Sequence, residues 1–475
     1  MGRLKISETF IYRHRYYIGY GLIAIILITM FVLAGLFAPG GISSQEMQSA
    51  VKSSSVNLYD FKSLEIINLP YHLMQKASMS MFGVSIFTIK LPSIILALFS
   101  AIGIIILLRR WYKPGIGVLA SLIAITTGQF IFIAQDGTPG ILYVFWSICL
   151  LLFADLIARQ KKFRMLYKIS FCILAGLSLY TPLSLYMIIA LIVAVFLHPH
   201  LRFIIKQLSK PQIIVSLIFA FILIIPLIAA VIISPKLILT LLGIPTTWPN
   251  WSTNFATLGA EYFGFSKPGG ATLMTPFFEL GSMILIVFGA LYNIRTRAAA
   301  KSYVIAFWTI SLIPFIILDP SLTNITFVPL VLLLASGIRT LLARWYILFP
   351  RNPYARIGGL IPVTILVIVL VFSGADRYIN GYRYDPSIAP NFSNDLKLIP
   401  KDTKNVVVAA DEFDFYQVVA KYNKKFIVTL TPTNDTFLAT RNAKQNITDY
   451  QISRIITSPK LNQSDRFYLY KKIVK

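Results

Sequence analysis

The chain is poor in sulfur, in acids and in histidine. Its two cysteines among 475 residues, Cys149 and Cys172, both fall inside apolar runs, which excludes a disulfide framework outside a membrane. Charged residues make up only 13% of the chain, which excludes a soluble domain of ordinary composition. Acids number 19 against 44 Lys and Arg, a net charge of +25. That excess would suit nucleic acid if it lay on one soluble face. Before residue 375 most of the cations instead stand in short loops between apolar runs, so no nucleic-acid partner is expected. There is no P-loop, no GxSxG, no dinucleotide fingerprint and no HExxH. His72 has no second His or Cys near it in sequence, so no metal site is expected, and no cofactor is assigned.

What the chain has is apolar length. It is 56% hydrophobic with a mean hydropathy of +0.71. Many uncharged runs approach the roughly twenty residues that cross a bilayer. The fold class expected is an all-α polytopic membrane protein of about eleven helices with a small C-terminal α/β extracytoplasmic domain. Spans are expected near 17–38, 89–108, 115–133, 141–157, 213–233, 276–291 and 359–372, with two more flanking a turn at Asp319. The run 169–198 has basic residues on both sides, Arg164 before it and Arg202 after it. Two basic loops on one face need an even number of crossings between them, so this run is expected to be two short helices broken near Thr181-Pro182.

The same basic loops orient the chain. Arg3, Lys5, Arg13 and Arg15 put the N-terminus in the cytoplasm, and alternation from there puts the C-terminus outside. The first apolar run could pass for a signal peptide, but it is too long and lacks a small-x-small site, so an uncleaved first helix is expected. Residues 1–374 form the membrane module, with outer loops at 39–88 and 234–275. From 375 to 475 charges of both signs become frequent, and strand and helix patterns alternate.

Few residues can carry chemistry. Glu46 stands just past the outer end of the first span, where a carboxylate could act as a general base or simply be a solvated loop acid. Asp136, in IAQDGTPG, is the only charge in its turn; it reads as a functional membrane-edge acid or as a turn residue before Gly137. Lys90 could hold a phosphate or could snorkel. His72, with Tyr71 beside it, is the one His expected to face outside.

In order and spacing these features resemble the GT-C membrane glycosyltransferases, in particular the protein O-mannosyltransferases, which use dolichyl-phosphate-mannose, and the aminoarabinose transferases. The residues that carry the resemblance are Gln45-Glu46, Leu69-Pro70-Tyr71, Phe82-Gly83, Lys90-Leu91-Pro92-Ser93, Arg109-Arg110, Gln135-Asp136 and GLSLYTPLSLY from Gly176 to Tyr186. It covers 17–235 well and the later spans by topology. Gln45 stands where the family has Asp, Lys90 where it has Arg, and the Arg before the fourth span is missing. The resemblance implies inverting transfer of a sugar from a polyprenyl-phosphate donor to a hydroxyl of a glycan, lipid or protein on the outer face of a bacterial plasma membrane. It implies Glu46 and Asp136 as catalytic acids and Lys90, Tyr71 and His72 as donor-binding residues. Two other readings stay open: a flippase for a lipid-linked glycan, which would want polar residues through many spans, and a non-catalytic scaffold, to which loss of the Glu46 carboxylate would be indifferent.

Overall fold

The computed structural model describes residues 41–57, 66–159, 163–264, 276–296, 299–348, 360–383, 391–400, 402–423, 426–432, 434–444, 449–457 and 466–473, with isolated positions elsewhere. The expected first span lies outside the described residues apart from scattered helical positions, of which Leu27 and Phe31 are buried.

A short strand β1 (Ile42–Ser43) leads into α1 (Ser44–Ser55) and α2 (Leu69–Phe82). Two long apolar helices follow around a bent pair: α3 (Ile86–Trp111), then α4 (Pro114–Thr126) with α5 (Gly128–Gln135), then α6 (Ile141–Arg159). Local chemistry sets their ends. Ser85 and Thr88 form a capping box that starts α3, and Pro114 opens α4 where its missing N–H costs nothing. Thr127 makes the 59° bend between α4 and α5, since its hydroxyl donates to Ala124 O and accepts from Phe130 N–H.

The run 169–198 is indeed two helices, α7 (Arg164–Ser178) and α8 (Ser184–Leu197). The turn between them is buried in protein. Trp146 Nε1 donates to Thr181 Oγ1 at 3.0 Å, and Leu183, held at φ 60°, donates its N–H to Leu241 O at 2.9 Å. Such a backbone is tolerated at that depth because protein satisfies it. α8 then turns by 97° into α9 (Pro199–Lys206). Next come α10 (Lys210–Ile233), the shorter helices α11 (Lys236–Leu241) and α12 (Trp251–Phe263), then α13 (Leu280–Arg295), α14 (Ala300–Leu318), α15 (Phe327–Leu348) and α16 (Leu360–Arg383).

Among the described residues six helices are long and apolar enough to cross a membrane, or eight if each bent pair is one span. The main core lies where α3, α4, α5, α6 and α15 meet. α13 and α15 cross at two glycines: a Cβ on Gly289 would strike Leu333 O, and one on Gly337 would strike Leu285 O. Small residues let membrane helices approach this closely.

Beyond α16 lies strand β2 (Phe392–Ser393), which pairs antiparallel with β1. The C-terminal unit is a five-stranded sheet with α17 (Phe413–Asn423) beside it. Its strands are β3 (Asn405–Val407), β4 (Ile427–Thr429), β5 (Thr436–Thr440), β6 (Tyr450–Thr457) and β7 (Arg466–Lys472), in the order β4-β3-β5-β7-β6. β3 runs parallel to β4 and β5, and β7 antiparallel to β5 and β6. This unit is docked on the segment that holds α1 and α2. Residues of α1, α2 and α17 share one apolar cluster that includes Ala50, Met79, Phe415 and Val419. Asn423 clamps Val84 with both ends of its amide, accepting the Val84 N–H at 2.7 Å and donating to Val84 O at 2.9 Å.

Candidate active site

Glu46 is placed by its own helix start. Ser43 caps α1, accepting the Glu46 N–H at 3.3 Å, and Glu46 Oε2 accepts the Ser43 N–H at 2.7 Å. Ser43 is itself fixed by the β1–β2 pairing opposite Phe392. The other carboxylate oxygen, Oε1, accepts the Gly137 N–H at 2.6 Å and lies 3.3 Å from Lys90 Nζ. Lys90 also donates to Gln135 Oε1 at 2.8 Å. Glu46 and Lys90 are both fully buried. A buried acid and cation need each other, because removing either strands the other charge. Gln45, one residue earlier, faces outward.

Asp136 sits in the turn just past α5, one residue before the Gly137 that bonds Glu46. It is half-buried and takes its hydrogen bonds from Thr138, hydroxyl and backbone. Burial, then the Glu46 charge, push its carboxyl up to about 7, against the Thr138 bonds and the Lys90 charge. Two acids in one place thus have different environments: one locked in an ion pair, one poised near neutrality.

Tyr71 and His72 are buried on α2 rather than open to a ligand. The Tyr71 hydroxyl meets Ser93 Oγ at 2.8 Å, and Ser93 donates to Thr138 O at 3.4 Å. His72 Nδ1 meets Ser53 Oγ at 2.8 Å. Gln75 ties these threads together: its Nε2 donates to Gly137 O at 2.8 Å and Ile89 O at 2.9 Å, and its Oε1 accepts from Ser49 and Ser53. Because the single Ser53 proton goes to Gln75, the network assigns the His72 Nδ1 proton as the donor to Ser53.

All five candidates from the sequence therefore converge on the 135–138 turn, Tyr71 and Asp136 through Ser93 and Thr138, and His72, Glu46 and Lys90 through Gln75, Gly137 and Gln135. Sequence reasoning missed Ser43, Ser53 and Gln75, and gave no role to Ser93, Gln135 or Gly137, although Ser93 and Gln135 lie in segments that carry the resemblance. Gln75 left a usable signal, since it lies three residues after His72 and four after Tyr71 on one helix face. Gln135 is fully buried, and its Nε2 has no partner among the described residues.

Residues 70–229, which hold most of this network, match the family described as dolichyl-phosphate-mannose-protein mannosyltransferase. ArnT from Cupriavidus metallidurans, in a crystal structure bound to undecaprenyl phosphate, superposes over 96% of this chain and 98% of its own, at TM-score 0.50 and 9% identity. The fold is that of the GT-C membrane glycosyltransferases. The oligosaccharyltransferase of Archaeoglobus fulgidus, tethered to an acceptor peptide with an NVT sequon, superposes over 84% of this chain and 63% of its own, at TM-score 0.50 and 13% identity. No curated protein sequence matches this chain.

Proposed function

We propose that this chain moves a sugar from a polyprenyl-phosphate donor to a hydroxyl of a lipid, glycan or protein, on the membrane face where α1, α2 and the α5–α6 turn gather. One observation carries the reading: a half-open acid raised to about 7 stands beside a sealed acid–cation pair. A general base works best with a pKa near the working pH, and Asp136 meets that condition. The acceptor oxygen attacks the anomeric carbon opposite the phosphate. The bond to the phosphate oxygen breaks, its electron pair leaves with the phosphate, and the hydroxyl proton passes to Asp136. A single displacement of this kind inverts the anomeric centre.

In this reading the general base is Asp136 and not Glu46. Glu46, fully buried with both oxygens engaged, is a positioning residue that fixes the Gly137 backbone and so the Asp136 turn. Lys90 is its internal counter-ion. Beside it, the buried Gln135 accepts from Lys90 and holds the ammonium in place. Tyr71 and His72 brace this arrangement through Ser93 and Gln75 instead of touching the donor. The membrane is that of a bacterial cell, with the N-terminus cytoplasmic and the C-terminal unit outside.

Mass analysis of envelope glycans from cells carrying wild-type or Asp136→Asn protein at equal abundance tests the proposal. Wild type adds a sugar that Asp136→Asn fails to add, with turnover down about 10² or more, the scale of losing a general base. Glycans that depend on the protein but not on Asp136 would overturn the base assignment. Glycans identical with and without the protein would favour a scaffold.

A further inference from the structure

α3 and α6 each begin near the acid network and end, on the other side of the helix bundle, at Arg110 and Arg159. There Asp155 is held by both, at 2.5 Å from Arg110 Nε and 2.8 Å from Arg159 Nε. The helix ends around it carry Arg164 on α7, Arg202 and Lys206 on α9, and Lys210 on α10. The described residues at this level are strongly cationic, and Asp155 is already shared by two of them.

α9, set 97° from α8, has the geometry of a helix lying along a membrane surface. Its Leu201, Ile204 and Ile205 line one side of a cavity of about 360 Å³, with Phe171 and Val195 among the other walls. That volume falls in the range of small-molecule and lipid-chain pockets. One charged side chain lines it, Lys168, which is buried to 4% exposure. Lys168 Nζ donates to Gln212 Oε1 at 2.8 Å and reaches Ser209 Oγ at 3.4 Å. Its third N–H has no partner among the described residues. Among the described residues no carboxylate pairs with this ammonium, whose hydrogen bonds go only to neutral groups.

We propose that this cavity binds an anionic glycerophospholipid, with an acyl chain against α8 and α9 and the phosphate on Lys168. Charge selects the ligand class. Basic pockets between membrane helices hold acidic head groups, while a zwitterionic lipid brings no net charge to an already cationic rim. Position selects glycerophospholipid over polyprenyl phosphate, since the cavity lies at the far ends of α6 and α3 from the proposed transfer site. The proposal is independent of the transfer chemistry.

Native mass spectrometry of the full chain, purified in detergent and titrated with phosphatidylglycerol or phosphatidylcholine of the same chains, tests it. Wild type is expected to retain one phosphatidylglycerol at about tenfold lower concentration than phosphatidylcholine, the scale of one charge-assisted contact. Lys168→Gln is expected to remove that preference, while Lys168→Arg keeps it. Val195→Trp, which fills the apolar wall and leaves the lysine in place, is expected to weaken retention of both lipids. Should Lys168→Gln not fold, as judged by its melting curve, the Arg and Trp variants decide. Equal retention of both lipids by wild type, a preference unchanged in Lys168→Gln or lost in Lys168→Arg, retention unchanged in Val195→Trp, or displacement of phosphatidylglycerol by an equimolar polyprenyl phosphate would each overturn the site.

Discussion

Glu46 Oε1 accepts the backbone N–H of Gly137 at 2.6 Å, a bond that joins the start of α1 to the α5–α6 turn across 91 residues. It can form because residue 137 has no side chain. A Cβ there would lie 2.8 Å from Ile89 Cγ2 and 3.2 Å from Glu46 Oε1. Gly137→Ala is therefore expected to push the turn away and lower turnover by about tenfold or more, the scale on which a slight misplacement of reacting groups acts. A sugar-transfer assay alongside a melting curve checks this; turnover equal to wild type would show that the turn need not be so close.

The raised carboxyl of Asp136 gives a pH signature. A base must be ionised, so turnover is expected to rise with pH through about 7 and level off above it. Glu46→Gln removes one cause of the raised value and leaves Lys90 to lower it, so the limb should move to lower pH. Stability runs the other way. A group whose folded value is raised from 3.8 to about 7 stabilises fully below the lower value and loses that contribution as pH climbs through the upper one. Asp136→Asn is thus expected to melt above wild type at pH 8, with the margin shrinking toward pH 5. A margin that widens toward pH 5 would contradict the raised value.

The extent to which this was legible in sequence follows from what kind of signal each feature leaves. Apolar length marks α3, α6 and α10 within a few residues of expectation, and Pro182 marks the break between α7 and α8. α16 runs on to Arg383, past the expected end at Phe372, because Asp376 and Arg377 mark departure from an apolar environment and not the end of a helix. β5 leaves little trace in sequence, since TFLAT is short and flanked by polar residues. Glu46 and Asp136 stood out because charges at a membrane edge are rare. Gln75 and Gly137 did not, because an amide and a backbone N–H acquire their roles only when distant segments meet.

The Asn423 clamp makes the C-terminal unit part of the site's support. Asn423→Ala leaves both the N–H and the carbonyl of Val84 without this partner, each lost part-buried bond costing about 0.5–1.5 kcal/mol. The cost is felt next to Ser85, which starts α3, and so near Lys90. Hydrogen exchange is expected to rise in both 405–423 and 83–90, with Asn423→Asp recovering only the accepted bond. A rise confined to the C-terminal unit would mean that the clamp stabilises that unit alone.

α13 offers the sharpest test of the packing that frames the site. Its 16 residues span about 24 Å, short of the roughly 30 Å hydrocarbon core. Such a helix gains its place from contact with α15, where Gly289 meets Leu333 O and Gly337 meets Leu285 O. A side chain at either glycine must displace backbone, not the flexible end of another side chain. Gly289→Val is therefore expected to cost at least the ~1–3 kcal/mol of an overpacked core, and Gly337→Val the same. Because the two glycines sit in one crossing, the double variant should cost less than the sum, since helices already forced apart by the first valine have room for the second. Melting midpoints of the three variants in one detergent check this. Strict additivity would mean that each glycine is accommodated separately, by local bending and not by a shift of α13 as a whole.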